Sequence, residues 1–278
     1  MLGAKVALSF GIKKKRCTFI FMFTARHFVI VLLLICAGCS RGALTTAQVT
    51  VTENGLPECQ TVACPAINVQ YIVYGGNGEV AGILNREIES FIINTLQLDG
   101  GTGQSTEGQT VTGAASGFVE SYTQRAAAYP DLAVAYEVTV SVSEIYRAPA
   151  LRCLKMEQWS YTGGAHGYGS TGFENFDPRT GTRVTTAMLL RDSAGFTAYA
   201  EKKLKETYGI PQGENINAKG FWFKEGAFHL PGTLGITAEK IIVHYNPYDV
   251  AGYADGPIQV SIPINEVAHF FNRPVGKK

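Results

Sequence analysis

The chain reads as an α+β protein, with clustered, mostly antiparallel strands packed with a few amphipathic helices in two intertwined or adjacent subdomains. Three observations predict this. Period-two alternation of β-branched and aromatic residues recurs over Ile67–Tyr74, Val134–Tyr146 and Leu151–Tyr161. Helical periodicity is confined to a few segments, chiefly 85–96, 118–129 and 196–208. The strands follow one another in runs and do not alternate one for one with helices.

Each element has its own local signal. Ile67–Tyr74 is a strand, and Gly75-Gly-Asn-Gly78 is the turn that ends it. Ile88, Phe91, Ile92, Thr95 and Leu96 then share one helical face, with Asn85 as the expected cap. Residues 99–117, dominated by Gly, Thr, Ser and Gln, read as a long loop. Phe118–Tyr129 reads as a second helix stopped by Pro130. Two long strands follow, Val134–Tyr146 and Leu151–Tyr161, and then Gly172–Phe176. Asp177-Pro-Arg-Thr-Gly181 has proline for a type I turn and glycine for a following positive φ, which predicts a hairpin. Phe196–Tyr208 is an amphipathic helix ended by Gly209 and Pro211. Phe221–Phe223, Ala227–Leu230, Lys240–Tyr245 and Pro257–Ile262 read as short strands, and Asn265–Phe271 as a closing helix.

The start of the chain predicts export. Phe28–Cys36 is an apolar run too short to span a bilayer comfortably, and Ala37-Gly38-Cys39-Ser40 follows it directly. The layout resembles a bacterial lipoprotein signal, with Cys36 where that pattern usually has leucine. It predicts cleavage before Cys39 and lipid attachment to that cysteine. Met22, followed by Arg26 and His27, offers a compact basic start. The resulting layout is a signal over 1–38, a tether over 39–57, an N-terminal α+β part over 58–148 and a C-terminal part over 149–273.

Removing the first 38 of 278 residues leaves 240, enough for a substantial core. The leader carries six of the 24 basic residues and none of the 23 acidic ones, so the mature part has 18 basic against 23 acidic, a net charge of −5. No basic run interleaved with aromatics survives in it, so nucleic acid is not an expected partner. Cys59 and Cys64 stand five apart in a chain bound for an oxidising compartment, which predicts a local disulfide. Cys153 sits in an alternating strand and reads as a small buried side chain.

Tyr161-Thr-Gly-Gly-Ala-His-Gly167 is the sharpest local signal: a histidine in a glycine-rich loop. Gly167-Tyr-Gly-Ser-Thr-Gly172 satisfies G-x-G-x-x-G, but it precedes a strand and not a helix, so no helix N-terminus would receive a pyrophosphate. There is no P-loop lysine, and Ser170 lacks the glycine of a nucleophile elbow. Trp222, flanked by Phe221 and Phe223, is either core or an exposed stacking face. His166, His229 and His244 could be imagined around zinc, but no HExxH or carboxylate partner accompanies them. Glu174 and Asp177 are a conceivable carboxylate pair, which strand alternation sends to opposite faces. No metal, cofactor or catalytic residue is therefore expected.

Tyr161–Gly167, Asn175-Phe-Asp177 and Thr180-Gly181, with Leu230-Pro, Gly235-Ile-Thr, Val243–Tyr248, Ala251–Ala254, Asp255–Pro257 and Ile262-Pro-Ile, resemble an RsiV-like family of extracytoplasmic domains of unknown function. The resemblance covers about residues 155–272. Cys64-Pro and Asn85-Arg-Glu-Ile88 resemble the companion domain that usually precedes it, over about 58–148. The resemblance implies a lipid-anchored or secreted α+β protein with binding capacity and no assigned reaction; the best-known member binds a lysozyme.

These readings point to a lipid-anchored envelope protein acting as a binding module for a lysozyme-like protein or a peptidoglycan fragment. In a Gram-negative host, Ser40 places it at the outer membrane. The contact residues expected are Tyr161, Gly163, Gly164, His166, Asp177, Tyr245, Tyr248 and Tyr253. The competing expectations are a wall-glycan hydrolase or deacetylase using His166, and a structural envelope lipoprotein without a small ligand.

Overall fold

The computed structural model describes residues 42–60, 64–97, 108–130 and 134–276. The signal expected over 1–38, and with it the lipidation expected at Cys39, lies outside these residues. Among them, no helix is long and apolar enough to cross a membrane.

Five strands form one sheet in chain order: β1 (Thr45–Thr52), β2 (Ala66–Gly75), β3 (Glu137–Ala148), β4 (Leu151–Tyr161) and β5 (Tyr168–Phe176). All neighbours are antiparallel except β2 and β3, which run parallel. A parallel pair needs a long crossover; helices α1 (Gly78–Leu96) and α2 (Val111–Ala128) lie within it. A second sheet contains β6 (Gly235–Ile236), β7 (Lys240–Tyr245) and β8 (Ile258–Pro263), all antiparallel. Helices α3 (Thr186–Leu189), α4 (Ser193–Tyr208) and α5 (Ile264–Val267) follow, with short 3-10 turns between elements. The α+β expectation is met.

Several local expectations are corrected. The stretch expected as a tether contains β1, which pairs with β2 along its whole length. Its Thr and Val residues suit an extended edge strand that buries little. Helix α1 starts seven residues before Asn85, and the Asn85 carboxamide performs a different task. Its Oδ1 accepts from the Tyr74 amide (2.7 Å) and its Nδ2 donates to the Tyr74 carbonyl (3.0 Å). Tyr74 lies beyond the last β3 pairing, at Tyr71, so one side chain completes the strand edge there. Helix α2 begins inside the expected 99–117 loop, at Val111, because Thr110 caps it by accepting from the Gly113 amide at 3.0 Å. Residues 221–223 and 227–230 are not strands. Phe221, Phe223 and Phe228 pack into the core from irregular backbone, while Trp222 stays exposed.

Two apolar clusters flank the five-stranded sheet. One joins α1 (Leu84, Ile88, Ile92) and α2 (Ala115, Phe118) to Val138, Val140 and Val142 of β3 and to Leu154 and Met156 of β4. The other joins α4 (Phe196, Ala200, Leu204) and the second sheet to Leu151 and Cys153 of β4 and Phe173 of β5. Alternation along β4 assigns each residue to its cluster. A bulge between Glu144 and Tyr146 shifts the β3 register by one, so Tyr146 pairs with Cys153 and joins the second cluster.

The expected boundary between 148 and 149 falls in the turn between β3 and β4, so the two parts share one sheet. From Ala43 on, the chain is one compact unit. Cys59 and Cys64 form a disulfide. Cys153 is fully buried and accepts from the Ile236 amide through Sγ; burial pushes its thiol up to about 12.

Candidate functional site

The site is built where β4 turns into β5. Tyr161 ends β4, and Gly163 (φ 100°) and Gly164 (φ 95°) take left-handed backbone that a side chain would strain. The turn presents His166, whose Nδ1 lies 2.9 Å from the Gly167 carbonyl oxygen and so donates to it. The His166 ring stacks on Tyr253, with centroids 3.8 Å apart and planes inclined by 18°. Tyr253 in turn stacks loosely on Tyr248 at 5.8 Å and donates its hydroxyl proton to the Gly167 carbonyl at 2.8 Å.

The loop after β7 brings these tyrosines there. The Asn246 amide donates to Asp249 Oδ2 (2.7 Å), and the Gly252 amide to Asp255 Oδ2 (3.0 Å). Tyr248 is forced to φ 73°, unusual for a residue with a side chain, and the residue is 54% exposed. Tyr168, at the start of β5, is also partly exposed; burial of its inner part, with Asp249 and Tyr248 nearby, raises its phenol above the usual value.

Beside this ridge lies a groove of about 610 Å³ on the polar half of the sheet face. Register places Thr139, Ser141, Glu157, Trp159, Gly169 and Thr171 on that face together. The far wall is His244, Asn246 and Tyr253. Asn246 Oδ1 accepts from the Thr171 amide at 2.7 Å, tying the loop to the free edge of β5. That bond fixes the oxygen's identity, so His244 Nε2, 3.1 Å away, is the donor toward Asn246. Glu157 pairs with Lys155 at 2.6 Å.

The expected contact residues do not all meet. His166, Tyr248 and Tyr253 do. Gly163 and Gly164 line a separate hollow of about 520 Å³ with Tyr122, Arg125 and Tyr129, and the Tyr161 hydroxyl donates to the Gly164 carbonyl. Tyr245 is 2% exposed, with its hydroxyl donating to the His229 carbonyl, so it is core. Asp177 is also buried. Its Oδ1 accepts from the Arg179 amide and Nε, both at 3.0 Å, and its Oδ2 from Arg179 (2.6 Å) and Arg273 (3.0 Å). These bonds, from Arg179 first, hold its carboxyl well below the usual range. Glu174 pairs with Arg183 at 3.1 Å, and burial raises its carboxyl. The two carboxylates thus serve separate ion pairs.

His166, His229 and His244 do not converge: His166 stacks on Tyr253, His229 lies edge-on to Phe223 and Tyr245, and His244 faces Phe173. Among the described residues, no group of three His, Cys, Asp or Glu side chains is placed to hold a metal ion. Trp222 is 49% exposed while Phe221 and Phe223 are buried, which settles that alternation. Trp159, which lines the groove, is not among the contact residues expected from the sequence. A tryptophan and a glycine ten residues apart carry a signal only once the β4–β5 register sets them opposite each other.

Residues 191–265 match a family described as a protein of unknown function, DUF3298. The match includes Tyr245, Tyr248 and Tyr253 and leaves out the Tyr161–Gly167 turn. A DUF3298-family structure from Bacteroides fragilis NCTC 9343 is 20% identical, with a TM-score of 0.61 over 84% of this chain and 96% of that one. Another, from Pseudomonas aeruginosa PAO1, is 16% identical, with a TM-score of 0.55 over 86% and 99%. No curated protein matches the chain. At these identities the likeness is one of fold. Residues 191–265 are therefore a DUF3298 domain, carried in a chain whose fold is similar to that of solved DUF3298-family proteins.

Proposed function

We propose that this chain is a lipid-anchored envelope protein whose folded part binds a protein or peptidoglycan ligand through the ridge of His166, Tyr253 and Tyr248. The observation that carries the reading is Tyr248: an exposed aromatic ring on a strained backbone, aligned with two further rings beside a groove. Strain of this kind is retained where surrounding structure over-determines it, and it clusters at functional sites. Tyrosine also suits recognition, since it is apolar, stiff and carries one polar handle. The similarity of Tyr161–Gly167 and Val243–Tyr248 to the RsiV-like family supports a lysozyme-like protein as one ligand. The sequence around Cys39 supports the anchor.

The test is binding of the full chain, held in vesicles, to lysozyme and to purified wall sacculi. Paired Tyr248→Ala and Tyr253→Ala changes are expected to reduce binding at least tenfold with folding intact. Unchanged binding by that double variant rules out the ridge. Wall hydrolysis or deacetylation that disappears with His166→Ala would replace the binding reading with an enzymatic one. Mass spectrometry of the mature N-terminus checks the anchor, with an acylated Cys39 as the expected species.

A further inference from the structure

We infer that the groove beside the ridge is a subsite for a neutral oligosaccharide, with Trp159 as its stacking platform. This rests on the binding-module reading and narrows the ligand chemistry. Trp159 is 37% exposed yet held in place from below. Its indole spans two glycines of the neighbouring chain segment. A Cβ at Gly167 would fall 2.6 Å from Cζ2, and one at Gly169 would fall 3.2 Å from Cδ1. The ring therefore lies against bare backbone, and it also lines the groove. A fixed apolar plate pays little conformational entropy on binding.

The surrounding groups select the ligand. Thr139, Ser141 and Thr171 bring hydroxyl-bearing side chains and Asn246 a carboxamide. Among the described residues, no lysine or arginine lines the groove, and the neighbouring Lys155 is engaged by Glu157 at 2.6 Å, so phosphate, sulfate and uronate groups find no free lysine or arginine there. Glu157 is the lining carboxylate, and Lys155 compensates it at 2.6 Å, which leaves no net attraction for a cation. An uncharged ligand with many hydroxyls and an apolar C–H face satisfies both the plate and the polar floor; a pyranose ring is that ligand.

The surface also continues. By register, Asn68 and Gln70 of β2 lie beside Thr139 and Ser141, and Thr52 and Thr50 of β1 lie beside them. Asn68, Gln70 and Thr50 are exposed. This uncharged track crosses three strand spacings from β4 to β1, about 14 Å. That reach suits a chain of sugars over a single one.

The chain has two tryptophans, so Trp222→Phe leaves Trp159 as the sole indole. In that background the full chain is titrated with tetra-N-acetylglucosamine and with cellotetraose while tryptophan emission is read. A saturable shift with at least one sugar is expected. Ser141→Arg, which fills the floor from the position opposite Glu157, is expected to weaken binding at least tenfold with an unchanged thermal midpoint. Gly167→Ala is expected to shift the resting emission and weaken sugar binding; should it fail to fold, Ser141→Arg decides alone. Absence of a saturable response to both sugars overturns the inference, as does a response that Ser141→Arg leaves intact. Binding of lysozyme or sacculi is measured alongside. If it persists while the sugars fail, the binding module stands and only the saccharide subsite falls.

Discussion

The Tyr253 hydroxyl donates to the Gly167 carbonyl at 2.8 Å while its ring stacks on His166, 3.8 Å between centroids. Tyr253 is thus joined twice to a turn 86 and 87 positions earlier in sequence, by a hydrogen bond to Gly167 and face to face with His166. The loop after β7 and the turn after β4 form one surface because of this pair.

Tyr253→Phe keeps the stack and removes the donor. A hydrogen bond at this exposure contributes about 1 kcal/mol, so a small stability loss is expected. Tyr253→Ala removes both links and is expected to speed amide exchange at Gly167 and Gly169 well beyond the Phe variant. Hydrogen exchange of the two proteins checks this, and equal protection in both would mean that the stack contributes nothing.

Tyr248 carries left-handed backbone strain of about 1 kcal/mol, which glycine does not feel. Glycine's greater freedom in the unfolded chain offsets a similar amount. Tyr248→Gly is therefore expected to leave the thermal midpoint unchanged or slightly raised, while binding to lysozyme or sacculi falls. Tyr248→Val, a β-branched residue at φ 73°, is expected to destabilise measurably. Calorimetry on both variants gives the comparison.

Asp177 sets part of the acid sensitivity. Arg179, joined by Arg273, lowers its folded-state pKa below the unfolded value of about 3.9. Its contribution is therefore fully present above that value and is lost as pH falls through the lower, folded one. Asp177→Asn is expected to cost about 2 kcal/mol at neutral pH and to flatten the fall in stability below about pH 4. Denaturant unfolding at pH 7 and pH 3 checks both the size and the sign.

The Cys59–Cys64 bridge closes a short loop ahead of β2. Chain-entropy reasoning gives about 2 kcal/mol for a loop of this length, so reduction is expected to lower the thermal midpoint by roughly 4–8 °C. In living cells, thiol labelling before reduction is expected to miss both cysteines if the chain is exported. Labelling of both would argue against an oxidising compartment.

Local signals were strongest where a residue's role depends on its neighbours in sequence. The alternation of Leu151–Tyr161 fixed β4 to the residue, and Gly209 (φ 66°) ends α4 as read. Signals failed where a distant partner decides. Asn85 looks like a helix cap, yet it completes the edge of β2 at Tyr74. Phe221 and Phe223 alternate like strand residues, yet they are buried from irregular backbone around Asn217, whose side chain bonds the Phe223 amide and carbonyl.

The sequence by itself determined the α+β class, most strand and helix positions, the local disulfide, and the glycine turn that presents His166. These follow from periodicity and from residues a few positions apart. The tertiary structure alone decided which tyrosines face outward. Tyr245 and Tyr248 are three residues apart; one is buried on β7 and the other exposed in the left-handed region, because the bonds around Asn246 and Asp249 turn the chain between them. It also decided that Trp159 lies over Gly167 and Gly169, since strand register is a property of paired strands and not of either one alone.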